Sequence, residues 1–350
     1  MDGGALWPDR TVAAWESRPP AFGFEARFHP AGISLAVRSD DPQLLDELTL
    51  TLGADEAGAN GAGPELAADI RTLGQPDGVG YLRLSGGPDT LHGPEDFRLG
   101  FTHADFPFRP LQSADPSWTL VAYRHEAAPL FWLNGERCLF RLGPRWRMEV
   151  SLFLFNRTLR ARADLVFLHA AAVAIDGRGL LLVGPARAGK STTALAVAAR
   201  GHTLLSDDTA CYRPASGELL PFRRTAGIKP GPRAAAVETA LARVGHAVST
   251  EGVVRLPVDA LFPGGKPAAV PVAAVLFLGG VGVRPRLEPI VPAREHVAAL
   301  QPFAVSLVNA PAGRRVLELT RLLTRAGLYR LELGTPDDTA ACLEEVFGLR

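Results

Sequence analysis

Residues 184–208 read GPARAGKSTTALAVAARGHTLLSDD. The stretch opens on a lysine framed by glycine and closes on two adjacent carboxylates, and its reading decides the fold. Gly184 to Ser191 satisfies G-x-x-x-x-G-K-[ST], in which glycines let backbone N–H groups wrap phosphate oxygens. Gly184, Pro185, Ala186, Arg187, Ala188 and Gly189 form the expected nucleotide-binding loop, and Lys190, Ser191 and Thr192 open the helix behind it. Lys190 is expected to neutralise the outer phosphates of ATP, and the Ser191 hydroxyl to ligate Mg2+. The context agrees: LLLV before the loop is a buried strand, and STTALAVAAR after it is a helix closed by Gly201. Only three of the 37 basic residues are lysine (Lys190, Lys229 and Lys266). The pattern would therefore arise by chance roughly 0.003 times in such a chain.

The distance from the loop to the carboxylates has a geometric meaning. A helix over 190–200 carries the chain about 16 Å from the phosphates, and a strand over 202–207 returns about 20 Å. Asp207 and Asp208 then land beside the loop, at the strand ends where open α/β sheets bind ligands. Neighbouring side chains on a strand point to opposite faces, so one carboxylate can serve a metal while the other serves an acceptor. Asp208 is read as the base that takes the acceptor's proton, and Asp207 as a magnesium ligand or a group behind it. The reverse assignment stays open, as does a solvated turn or helix cap. For His169, a hairpin turning at 176–179 makes opposed residues sum to about 355, which sets His169 across from Ala186. A phosphate or Asp208 contact is the expected role; a satisfied core histidine is the alternative.

Around this stretch the chain is balanced. Its 350 residues carry 37 basic and 37 acidic side chains, with 47% hydrophobic content. That length suggests two domains, and the zero net charge favours neither nucleic acid nor a membrane surface as partner. Cys138, Cys211 and Cys342 fit neither a disulfide framework nor a zinc site. The start, MDGGALWPDR, lacks a signal pattern, and no apolar run is long enough to span a membrane, so a cytoplasmic location is expected.

Residues 1–145 read as a smaller α+β domain, a candidate for acceptor or peptide recognition, and 146–350 as the catalytic domain. Strands are expected at 32–38, 80–85 and 118–125, and a helix after Asp41 and Pro42. The segment 54–68 reads as a small-residue loop, and Asn134-Gly135 as a type I′ hairpin turn. Trp118, Trp132 and Trp146 are expected in the core. The second region alternates elements: a helix over 147–164, strands at 272–280 and 328–334, helices at 294–301 and 314–326, and a last helix capped by Thr335-Pro336-Asp337.

His169, the hairpin, GPARAGKS, the helix ending RGH (200–202) and the paired Asp207-Asp208 resemble the catalytic domain of HPr kinase/phosphorylase. That family is a serine kinase with a phosphoenolpyruvate-carboxykinase-like P-loop fold, a mixed sheet with helices. The resemblance runs from His169 to Asp208 and continues only in outline beyond. It implies that Lys190 and Ser191 hold phosphate and magnesium, that Asp208 accepts the proton and that His169 assists at the phosphate. Where the bifunctional enzyme has a Glu-Ile-Arg-Gly-Leu-Gly-type segment, this chain has PFRRTAGIKPGPR (221–233), which leaves the second metal ligand unassigned. Arg223, Arg224 and Lys229 are candidate phosphate or acceptor contacts there, with a solvated basic loop as the alternative. The sequence is more similar to the divergent HPr-kinase-like proteins among bacterial peptide-tailoring enzymes.

The expected function is a Mg-ATP-dependent kinase acting on a serine or similar hydroxyl of a peptide or small protein, with homo-oligomerisation left open. A kinase of a small metabolite and a non-catalytic nucleotide-binding regulator are the alternatives.

Overall fold

In the computed structural model, which describes residues 8–18, 21–53, 66–72, 78–86, 109–122, 130–222, 225–228, 248–250, 253–258, 267–304 and 311–348, the chain divides after Arg162 into two units. The division falls later than the 145/146 boundary read from the sequence, because the intervening helix is tied to the first unit. Trp146, on that helix, stacks on Phe140 with centroids 5.6 Å apart, and Arg147 Nε donates to the Asp41 carboxylate at 2.7 Å.

The first unit contains helices α1 (Pro8–Glu16), α2 (Pro42–Leu52) and α3 (Trp146–Arg160). Its eight strands are β1 (Phe24–Phe28), β2 (Leu35–Ser39), β3 (Leu66–Thr72), β4 (Val79–Ser85), β5 (Arg109–Leu111), β6 (Thr119–Ala122), β7 (Phe131–Asn134) and β8 (Arg137–Arg141), in the order β1-β2-β3-β4-β8-β7-β6-β5. Only β2 and β3 pair in parallel, with α2 as their crossover. Of the loop read over 54–68, residues 54–65 lie outside the described residues, and 66–68 open β3 instead: Ala67 and Ala68 have little β propensity, and their pairing with β2 decides the conformation. Trp118 and Trp146 are buried and Trp132 packs against the Trp15–Tyr81 cluster, as expected of core residues. The β7–β8 turn is centred on Gly135-Glu136, one residue later than read. Asn134 pairs with Arg137, and Gly135 takes the positive φ (60°) that a II′-like turn needs at its first position.

Asp41 caps α2, accepting from the Gln43 N–H at 3.0 Å, while also holding Arg147. All five tryptophans lie in this unit, so tryptophan fluorescence during urea unfolding of the full chain follows it selectively. We expect Asp41→Ala to destabilise that transition by about 1–2 kcal/mol. Asp41→Asn, which still caps, should lose well under half as much. Equal losses from the two variants would assign the effect to the ion pair rather than the cap.

The second unit contains β9 (Val166–Leu168), β10 (Ala171–Ile175), β11 (Arg178–Val183), α4 (Lys190–Ala199), β12 (Thr203–Ser206), β13 (Ala210–Arg213), β14 (Glu218–Leu220), β15 (Thr225–Ile228), β16 (Val248–Thr250), β17 (Val253–Pro257), β18 (Val270–Val281), β19 (Arg286–Pro289), α5 (Arg294–Leu300), α6 (Ala312–Arg325), β20 (Gly327–Leu333) and α7 (Pro336–Phe347). Strand β18 is the spine of a mixed nine-stranded sheet. Strands β11 and β20 flank it in parallel, β10 and β12 continue beyond β11, and β14-β13-β9 joins at its start. One face is covered by α4 and α7 through Leu195, Val197, Leu343 and Phe347; the other by α5 and α6 through Leu300, Leu319 and Leu322. Thr335 caps α7 with its hydroxyl on the Asp338 N–H. Strands β15, β17 and β16 form a separate small sheet. Among the described residues no helix is long and apolar enough to cross a membrane.

Candidate active site

Strand β11 is buried from Gly179 to Val183, and the chain then leaves the sheet into the glycine loop. The loop closes on itself: a Cβ at Gly184 would lie 3.1 Å from Ala188 Cβ and from Leu278 Cβ, tight enough that either neighbour would have to shift. Gly189 caps α4 in the left-handed region at φ 98°, and Arg187 at the loop tip also takes a positive φ, 64°. Lys190 is 6% exposed, and its Nζ donates to the carbonyls of Gly184 at 2.7 Å and Pro185 at 3.0 Å. Its ammonium thus sits inside the curve of the loop, at the positive end of a helix. Ser191 and Thr192 are half-exposed on the first turn.

The return predicted from the sequence is present. Strand β10 pairs antiparallel with both β11 and β12, so β11 and β12 run the same way and end at one edge of the sheet. Two strand spacings separate those ends, about 10 Å, a gap that phosphate and an acceptor hydroxyl would fill. Just past β12 the two carboxylates diverge. Asp207 is buried, and its Oδ2 accepts the Gly227 N–H of β15 at 2.6 Å. The Asp208 side chain is 53% exposed, with Oδ1 3.2 Å from His169 Nδ1.

The His169–Asp208 contact arises by a route that the hairpin register did not give. The β10–β11 ladder pairs Ala171 with Leu182 and Ile175 with Arg178, so opposed residues sum to 353, not 355. The turn is the two residues Asp176 and Gly177, both at positive φ (48° and 75°), rather than four. His169 therefore does not face Ala186 through this ladder. It is placed instead by β9, which pairs Leu168 with Ala210 of β13 and so brings the next residue beside Asp208 and Thr209. Its backbone N–H is held by the Phe303 carbonyl at 2.7 Å. Gly227, Phe303 and Leu278 thus support the site, and their backbone or packing roles leave no motif in the sequence. Arg223, Arg224 and Lys229 lie outside the described residues.

The residues present fit a nucleoside triphosphate with magnesium: a tight glycine approach, a buried ammonium, a helix N-terminus and a hydroxyl on its first turn. Among the described residues no group of three or more His, Cys, Asp or Glu side chains is placed to hold a metal. Fold and site together define a class: a mixed α/β unit whose phosphate-type loop faces a histidine–carboxylate pair across the sheet edge.

One segment of the chain is similar to known proteins. Over 72 residues, 21% of this chain, the sequence is 42% identical to HPr kinase/phosphorylase of Clostridium botulinum strain Eklund 17B (Type B), and equally to that of strain Alaska E43 (Type E3). Over that segment the chain is HPr-kinase-like. The match spans 22% of the length of those relatives. The HPr(Ser) kinase/phosphatase of Coxiella burnetii aligns structurally over 52% of this chain and 92% of its own, at 16% identity and a TM-score of 0.26. No family model matches the chain.

Proposed function

We propose that the chain is a Mg-ATP-dependent kinase of HPr-kinase type, with a phosphoenolpyruvate-carboxykinase-like nucleotide fold, that phosphorylates a serine or similar hydroxyl on a peptide or small protein. One observation carries the reading: His169 and Asp208 meet at 3.2 Å at the sheet edge where the loop strand β11 also ends. The segment identity with HPr kinase/phosphorylase supports it.

Mg-ATP supplies the phosphoryl group and the ADP leaving group. Lys190 and the N-terminus of α4 would hold the phosphates, and the Ser191 hydroxyl would serve as a ligand for magnesium. Asp208, exposed at the edge, takes the acceptor proton as the acceptor oxygen bonds to the γ-phosphorus and the bond to the bridging oxygen breaks. His169 orients the Asp208 carboxylate toward the acceptor through Nδ1 and assists at the phosphate. Asp207 acts from behind, its buried carboxylate fixing β15 and the turn that carries Asp208. Positioning and charge neutralisation supply most of the rate in such chemistry.

The test is label transfer from Mg-[γ-32P]ATP to HPr and to a serine-containing peptide library, with products identified by mass spectrometry. Label on serine in either pool is the expected outcome. Label that remains only in nucleotide and inorganic phosphate with both pools would contradict a protein or peptide acceptor.

A further inference from the structure

The proposed reaction fixes a direction along the nucleotide, and the inference drawn from that direction rests on the reading above. With the reacting phosphoryl toward His169 and Asp208, on the β10–β12 side of the loop, the remainder of the nucleotide runs the other way, over β18. The β11–β18 ladder stops at Val183 and Phe277, where β11 turns into the loop, but β18 continues to Val281. Four further residues at about 3.3 Å each raise a wall about 13 Å high beside the loop, comparable to the length of a nucleoside. Along that wall β11 no longer pairs with the backbone of β18, and Gly279–Val281 are exposed.

The wall is built for close approach. Its foot, Leu278, packs against Gly184 of the loop. Above it comes Gly279, covered by the Arg330 side chain (a Cβ there would lie 3.1 Å from Arg330 Cγ), and then Gly280, where the pairing with β20 shifts register; Gly280 sits at φ 120°, and a Cβ there would meet nothing within 4 Å. Glycine at a strand bulge marks a place where a ligand or another backbone comes near. The bulge sets Val281 opposite Leu333, with the Gly282 N–H donating to the Leu333 carbonyl at 2.7 Å. Val281 therefore shares the face of Leu333, the face covered by α4 and α7, and α4 is the helix whose N-terminus holds phosphate. Val281 is 67% exposed and Val283 is 94% exposed.

We propose that Gly280–Val283 is the nucleoside subsite. The base of ATP lies against Val281 and Val283, and its ribose crosses the backbone of Gly280, whose polar groups serve the sugar hydroxyls. Contacts of this kind add affinity for a base without selecting one purine.

Calorimetric titration of the full chain with Mg2+ and either ATP or tripolyphosphate tests this, because tripolyphosphate fills the loop but not the wall. The wild type should bind ATP more tightly than tripolyphosphate. A double variant, Val281→Ser with Val283→Ser, changes two exposed side chains outside the core. It should bind ATP about tenfold more weakly and tripolyphosphate within about twofold of wild type. Unchanged ATP affinity, or equal weakening of both ligands, would overturn the subsite. A wild type that binds tripolyphosphate as tightly as ATP would overturn the subsite alone, whereas one that binds neither would remove the phosphate-loop reading and the subsite with it.

Discussion

Asp208→Asn is expected to lower phosphotransfer by about 10²–10⁴-fold, the usual contribution of a general base, while Mg-ATP affinity stays near wild type. The substitution is nearly isosteric. The Asn oxygen can still meet His169 Nδ1, 3.2 Å from Oδ1 in the wild type, so the local geometry survives while the proton acceptor is lost. The half-exposed position makes a folding defect an unsuitable explanation for lost turnover. Single-turnover transfer to a labelled acceptor, paired with ATP titration, separates the two effects. Wild-type turnover in Asp208→Asn would move the base to another group, Asp207 first. That residue is buried with its carboxylate accepting from the Gly227 N–H, so Asp207→Ala, which removes the acceptor, should disturb the β15 connection and lower folding stability as well as activity.

Lys190→Ala should behave differently, losing both binding and turnover. A charge-assisted contact to phosphate contributes about 1.5–3 kcal/mol, which corresponds to about 10–150-fold in the dissociation constant for Mg-ATP. Turnover should fall further, because the same ammonium faces charge that develops on the transferring group. The ammonium also bridges the Gly184 and Pro185 carbonyls, so its removal loosens the loop itself. Lys190→Arg should not restore activity, since a planar guanidinium does not fit where the compact ammonium of the buried Lys190 lies between two loop carbonyls. Calorimetry with Mg-ATP is the measurement, and an affinity unchanged in Lys190→Ala would place the phosphates elsewhere.

The parts of the site that were legible in the sequence are those set by local chemistry. A glycine-rich loop between an apolar strand and a capped helix has one economical conformation, and the helix and strand lengths from Lys190 to Asp207 return the chain to the same sheet edge whatever the rest of the fold does. The last helix was legible for the same reason, because Thr335 and Pro336 define a start that Thr335 then makes by capping. What depended on pairing between distant segments was not legible. The hairpin register shifted by two because the positive φ values of Asp176 and Gly177 allow a tighter turn than four residues. The contact between His169 and Asp208 depends on β9 finding β13, and nothing in the residues near His169 encodes that partner. The start of β3, residues 66–68, reads as loop because its alanines carry no β signal, and only pairing with the neighbouring strands makes it part of the sheet. The unit boundary moved past α3 because Trp146 and Arg147 find Phe140 and Asp41, contacts invisible to composition.

The central claim is that the chain doubles back so that an acidic side chain faces the terminal phosphoryl. A crystal structure of the full chain with Mg2+ and a non-hydrolysable ATP analogue measures this directly, as the distance from the Asp208 carboxylate to the γ-phosphorus. With one acceptor oxygen between them, that distance should be about 6 Å or less; a separation above about 10 Å would contradict the account.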